Sequence, residues 1–163
     1  MKKITLTILT NSILFLALFF SIEISAQSSD CDIEITAYRN TTIKDVSSKG
    51  SYYKMTMVNK GSSEGVYVLT SKDVNNTCSN VDSTSTENNV FLNYRFLDKD
   101  KNPIDKISLS IGESIDFLIY VTAPTGTSMN KWSCVQIIAS SENCENYSKS
   151  IILKSFIIDP SEG

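Results

Sequence analysis

Ile115, Phe117, Ile119 and Val121 fall on alternate positions with Asp116, Leu118 and Tyr120 between them, and Pro124 and Gly126 end the run. A period of two puts one set of side chains on one face of an extended chain and demands a second apolar layer to cover it. The same rhythm recurs along the chain. Tyr53, Met55 and Met57 alternate with Lys54 and Thr56; Tyr67 and Leu69 follow; Val90 to Leu97 comes next; Ile107, Leu109 and Ile111 alternate with Ser108 and Ser110; Val135, Ile137 and Ala139 and then Ile151 to Ile158 complete the set. Polar turn residues separate these segments, and no stretch after residue 27 keeps a helical period. Seven to eight short strands of this kind predict an all-β protein, an immunoglobulin-like antiparallel β-sandwich.

The first 26 residues read differently. Lys2 and Lys3 form a basic head, Ile13 to Phe20 is unbroken apolar core, and a small residue, Ala26, offers a cleavage point. This is the pattern of a secretory signal peptide, residues 1–26, although Ile24, three positions before the cut, is larger than usual there. A membrane anchor over Ile4 to Ile22 is the rival reading. Thr5, Thr7, Thr10, Asn11 and Ser12 interrupt its first half and Glu23 follows it directly, which favours cleavage. Cys31 follows Ser-Ser-Asp, unlike the cysteine of a bacterial lipoprotein. The chain is therefore expected to be exported, to the periplasm or the cell exterior, with no membrane span after cleavage.

Taking 26 residues from 163 leaves 137, residues 27–163, enough for one domain with its own core. Two lysines and one glutamate leave with the leader, taking the net charge from −3 to −4. Without a run of Lys or Arg, nucleic acid and anionic membrane are poor partners. Cys31, Cys78, Cys134 and Cys144 contain no C-x-x-C pair, and the sequence has no His, so a zinc site is excluded and two disulfides are expected. No cofactor motif is present.

Tyr53-Lys-Met-Thr-Met-Val-Asn-Lys-Gly61, Leu109-Ser-Ile-Gly-Glu113 leading through Ile115 to Pro124, and Val135-Gln-Ile-Ile-Ala-Ser-Ser141 together carry a resemblance. Over roughly residues 50 to 141 the chain resembles the bacterial immunoglobulin-like domains associated with alpha-galactosidase-type carbohydrate-binding modules. Those domains pair a strand ending in Asn-x-Gly with a Gly-Glu turn, a long alternating strand closing on Pro, and a final strand ending in Ser. The resemblance implies a fibronectin-like sandwich that serves as a spacer or accessory module on larger exported proteins, and it names no active site. Here it is expected to stand without an enzyme domain.

Within such a sandwich, strands opening at Cys31, Tyr52, Val66, the 90–111 stretch, Glu113, Lys131 and Ser148 run alternately up and down. Cys31 and the turn holding Cys144 then share one end, while Cys78 and Cys134 share the other. Pairing Cys31 with Cys144 and Cys78 with Cys134 follows from that arrangement. The neighbour pairing of Cys134 with Cys144 needs a strand that ends early. From Cys134 the chain climbs about 20 Å to Ser140 and four residues return at most about 13 Å, whereas bridged α-carbons lie within roughly 7 Å.

Trp132 is the single tryptophan, and parity places it on the outer face beside Cys134. As a ligand platform it would stack on a sugar ring, with Tyr94 or Tyr147 as candidate companions. Alternatively the Ser/Asn-rich insert at 73 to 89, pinned by Cys78, folds over it as a lid. Asp98 to Asp105 opens like a calcium loop but has Pro103 where Gly is required and Leu109 where an acid is required, so a charged turn is expected. Sequons at Asn40, Asn75 and Asn146 matter only in a eukaryotic secretory pathway, and the leader has a bacterial style. The tail Phe156 to Gly163 ends a strand and carries no sorting signal.

Without His, the Ser-His-Asp and Cys-His routes to nucleophilic catalysis are closed. Glu64, Glu87, Glu113, Asp116 and Glu142 remain as carboxylates for glycoside hydrolysis, but no spacing sets two of them across one cleft. No catalytic residue is assigned. A non-catalytic interaction module is expected, with a cell-surface polysaccharide or surface protein as partner. The alternative is a structural accessory sandwich, and a carboxylate-dependent hydrolase ranks third.

Overall fold

A computed structural model of the chain describes residues 30–159. The signal peptide expected at 1–26, its cleavage bond and the final residues of the tail lie outside the described residues. Among these, no helix is long and apolar enough to cross a membrane.

Among the described residues nine strands form two sheets. In chain order they are β1 (Ile33–Ala37), β2 (Ile43–Val46), β3 (Ser51–Asn59), β4 (Gly65–Asp73), β5 (Asn93–Leu97), β6 (Lys106–Leu109), β7 (Ser114–Thr122), β8 (Lys131–Ser141) and β9 (Ser148–Ile157). The first sheet runs β1-β3-β7-β5 and the second β2-β9-β8-β4-β6. Both inner faces follow the period of two. Tyr53, Met55 and Met57 of β3 and Phe117, Ile119 and Val121 of β7 meet Tyr67, Leu69, Val135, Ile137, Ala139 and Leu153 of the second sheet, all buried. Burying each large apolar side chain is worth about 1.5–3 kcal/mol, so these alternating positions supply the main driving force for the two-layer fold.

The 90–111 stretch, expected as one strand, is two, β5 in the first sheet and β6 in the second, and the strand count exceeds the expected seven to eight because of β2 as well. Only Val46 of its four residues is buried and Ile43 is 44% exposed, so it carries no alternation to read. It arises where the chain changes sheets. After β1 a 3-10 turn over Tyr38–Asn40, with Arg39 and Asn40 at φ 53° and 57°, carries the chain across to the second sheet. There β2 pairs with β9 in parallel, the one departure from an antiparallel pattern among the described strands. A second difference concerns Ile111. Expected to point inward after Ile107 and Leu109, it is 63% exposed, because β6 stops at Leu109 and a turn closes through Glu113 N–H donating to Ser110 O at 3.0 Å.

Polar groups inside the sandwich are mostly bonded. Tyr53 donates its hydroxyl to Lys154 O at 2.7 Å, and Tyr94 shares a hydrogen bond with Ser133 at 3.2 Å. Burial pushes the Tyr94 phenol up to about 12, which keeps it neutral. Asn59, also buried, receives Gly61 N–H on its side-chain oxygen at 2.9 Å and donates to Ser63 O at 2.8 Å, locking the turn after β3.

Tyr67 differs: its buried hydroxyl makes no hydrogen bond. The ring leans over Gly65, where a Cβ would stand 2.6 Å from that oxygen and 2.8 Å from Cζ. Gly65→Ala is therefore expected to cost about 1–3 kcal/mol through overpacking. Tyr67→Phe, which deletes an unbonded hydroxyl, should be neutral or stabilising and should recover part of that loss in the double variant. Urea midpoints of the three proteins check both statements; a Tyr67→Phe loss as large as that of Gly65→Ala would contradict them.

Candidate functional site

The edges of the sheets give a partner strand little to hold. The edge strands β1, β2, β5 and β6 are four or five residues long and carry Glu34, Lys44, Asp45, Arg95 and Lys106. Where β9 extends beyond β2, Lys149 reaches across to Asp32 at 3.7 Å. Short, charged edges of this kind oppose strand addition. The surfaces open to a partner are the ends and outer faces of the sandwich.

At one end the structure joins Cys31 to Cys144 and at the other Cys78 to Cys134, with Cα separations of 6.2 and 6.4 Å. The second bridge builds a site. Even-numbered residues at the start of β8 face outward, so Cys134 would be open to water, yet it is fully buried. The insert after β4 covers it. Val74 N–H donates to Cys134 O at 3.2 Å, Cys134 N–H donates to the Asn75 side chain at 2.8 Å, and Val90 N–H donates to Trp132 O at 2.8 Å. Asn75 in turn donates to Val90 O at 3.1 Å, so one buried amide ties both limbs of the insert to β8. Asn75 heads a sequon, but burial leaves no room there for a glycan.

Above the bridge, Asn80 and Asn89 exchange paired amide hydrogen bonds, both at 2.8 Å, and Lys154 donates to Ser79 O at 2.6 Å. Trp132 is half-buried beneath this loop. Its ring centroid lies 5.0 Å from that of Phe156, directly opposite on β9, and its N–H donates to the Asp82 carboxylate at 2.9 Å. That bond, with two from Thr84, holds the Asp82 carboxyl below the usual range. Beside the indole a polar cleft of 160 Å³ remains, lined by Asn80, Asp82, Ser85, Asn88, Lys131 and Trp132 among others. Val81, the apolar residue of the loop tip, is 50% exposed and does not seal it. The insert thus covers part of the ring with polar groups and leaves a lined opening.

Tyr94 and Tyr147 do not join Trp132. Tyr94 points inward to Ser133, and Tyr147 lies near the Cys31–Cys144 bridge, accepting Ile33 N–H at 2.7 Å and donating to Asp32 at 3.0 Å. The carboxylates also part company. Glu87 sits in a 3-10 turn of the insert, Asp116 accepts from Thr56 at 2.7 Å on the outer face of the first sheet, and Glu142 pairs with Lys106 at 3.3 Å. Glu64 and Glu113 line one 390 Å³ hollow, where Glu113 accepts Ser110 N–H at 2.7 Å and so closes its own turn. The Asp98 carboxylate is likewise turned onto its own loop, accepting from Asp100 N, Asn102 N and the Asn102 side chain at 2.8 to 3.0 Å. Among the described residues no cluster of three or more His, Cys, Asp or Glu is arranged to hold a metal. The amide residues of the insert were visible in sequence only as a polar composition; their role depends on the crosslink.

No family model matches the sequence, and no curated protein matches it. Among solved structures the fold is similar to part of a family 123 glycoside hydrolase from Clostridium perfringens, with a TM-score of 0.53 and 10% identity over 78% of this chain. The chain spans 28% of that protein's length. A FixG-related protein from Vibrio parahaemolyticus matches 80% of this chain and 98% of its own, with a TM-score of 0.48 and 13% identity; the secreted serine protease VesC from Vibrio cholerae matches 90% of this chain and 27% of its own, at 0.46 and 16%. At 10% identity the likeness to the glycoside hydrolase shows the fold alone, and the β-sandwich is read from the two sheets themselves.

Replacing both Cys78 and Cys134 by Ala should lower stability by on the order of 4 kcal/mol on the chain-entropy model. It should also shift Trp132 fluorescence to the red as the insert lifts. Unchanged emission from the unbridged protein would mean that the insert does not cover the ring.

Proposed function

We propose that this protein is an exported, non-catalytic interaction module that binds a cell-surface polysaccharide, with one sugar residue held in the cleft beside Trp132. Two disulfides suit an oxidising compartment, the periplasm or cell exterior. The observation that carries the reading is the cleft itself: a space of 160 Å³ with an aromatic wall and a lining of amide, hydroxyl, carboxylate and lysine side chains. Sugars offer an apolar ring face and a rim of hydroxyls, and such a cleft matches both. The walls are fixed before any ligand arrives, by the bridge, the Asn75 clamp and the Asn80–Asn89 pair, which lowers the ordering cost of binding. An accessory role of the kind found in domains associated with alpha-galactosidase-type carbohydrate-binding modules is compatible with this site.

The spacer reading draws on the packing of Trp132 against Phe156, which by itself would serve only stability. Because Trp132 is the only tryptophan, its emission separates the two. Titration with a panel of neutral polysaccharides should give a saturable change with one of them, abolished in Asn88→Ala while circular dichroism stays the same. Flat titrations across the panel would favour the spacer.

A further inference from the structure

The outer face of the first sheet carries a second arrangement, on the side of the sandwich away from Trp132. Register sets Tyr52 opposite Tyr120 and Tyr120 opposite Arg95, so these three form one outward row; Lys54 and Leu118 form the next, and Thr56 and Asp116 the third. The Tyr52 and Tyr120 rings stack with centroids 4.6 Å apart. The charged turn that follows β5 leans back over this face. Lys101 places its Nζ 5.0 Å from the Tyr52 ring centre, and Lys99 joins Tyr38, Lys54, Asp116 and Leu118 around a 380 Å³ hollow. From the crossing between sheets, Tyr38 stands 53% exposed with Arg39 at 5.1 Å and Lys54 at 5.7 Å from its ring centre.

Five cations scattered from residue 39 to residue 101 are thus gathered on one face, and rings hold three of them in place. Ion pairing separates this face from the rim. The ion pairs among the described residues are Lys60–Glu34, Lys99–Asp100, Lys106–Glu142 and Lys149–Asp32, so Arg39, Lys54, Arg95 and Lys101 enter none of them. The carboxylates of the face are already engaged, Asp98 by its own turn, Asp100 by Lys99 and Asp116 by Thr56. The chain as a whole carries −3, so a polyanion is repelled elsewhere and drawn to this face.

We propose that this face binds an acidic polysaccharide, its carboxylate or sulfate groups pairing with Arg39, Lys54, Arg95 and Lys101. Bound cations flank Tyr38 and Tyr52, so these rings serve to orient charge rather than to stack on bases, which disfavours single-stranded nucleic acid. The disulfides suit an oxidising compartment, where surface and matrix polymers are met. The cleft beside Trp132 is not required for this binding, and the two sites lie on different sheets.

The test measures affinity of the oxidised protein for polygalacturonate and dextran sulfate, with dextran, polyglutamate and duplex DNA alongside, at low and at physiological salt. The triple variant Arg39→Gln, Lys54→Gln, Lys101→Gln should bind the acidic polysaccharide at least about tenfold more weakly. A rim variant, Lys60→Gln, Lys106→Gln, Lys149→Gln, removes the same charge and should stay within about twofold of the parent, since local pairing and not net charge is responsible. Binding should weaken with salt. Preference for dextran sulfate over polygalacturonate supports the proposal with sulfate as the group recognised. No binding of either acidic polysaccharide, equal losses in the two variants, or equal or tighter binding of polyglutamate or DNA would overturn it. A neutral-sugar response of Trp132 that persists in the triple variant separates this site from the cleft.

Discussion

One sulfur atom decides the organisation of a whole end of the molecule. Cys134 leaves the second sheet on its outer side and is nevertheless fully buried, because Cys78 draws the insert down upon it. The insert is rich in Ser, Asn, Asp and Thr and poor in apolar residues, so it has little surface to bury in return for the entropy of ordering. The crosslink reduces that entropy in the unfolded chain, and the amide bonds of Asn75, Asn80 and Asn89 then form between groups already held near each other. A loop fixed by polar bonds and one covalent bridge can keep a polar opening that an apolar lid would have closed. The half-buried state of Trp132 follows from this.

The same logic marks the limit of what a reader of the sequence sees. Alternation in β3, β7 and β8 is a backbone property with a strong apolar signal, and those strands and their inward residues can be read directly. β2 lacks the signal: Ile43 faces water, and the strand exists because the chain crosses over and finds the free side of β9. Ile111 misleads for the opposite reason, since it continues the rhythm of β6 past the point where the Glu113 carboxylate has turned the chain. Parity puts Trp132 on an outer face, but which groups cover it is a tertiary matter. The cations of the first sheet are less legible still. Apart from Lys99 and Lys101 in the one turn, no two of Arg39, Lys54, Arg95, Lys99 and Lys101 are near enough in sequence to form a basic run, and strand register together with two turns sets them side by side.

Edges and faces divide their tasks in a consistent way. Every terminal strand is short and charged, and the free part of β9 is guarded by Lys149. This opposes sheet-to-sheet association without restricting the outer faces, which can then carry aromatic and charged groups at little risk of aggregation. Tyr52, Tyr120 and Tyr38 are tolerated on the outer face because they meet cations and one another instead of presenting a bare apolar patch.

Net charge is a poor guide to such a molecule, since its two signs do different work. Several carboxylates are committed to local structure: Asp98 closes the turn after β5, Glu113 the turn after β6, Asp82 anchors the indole, and Asp32 receives both Tyr147 and Lys149. Hydrogen bonds from the Asn102 side chain and from backbone N–H groups hold Asp98 below the usual carboxylate range, so its negative charge persists through mildly acidic conditions while being turned inward on its own loop. Arg39, Lys54 and Lys101 have aromatic neighbours in place of carboxylate partners, and an aromatic ring fixes a cation without neutralising it. A mildly acidic protein can in this way present its positive charge in concentrated form and hold much of its negative charge within its turns.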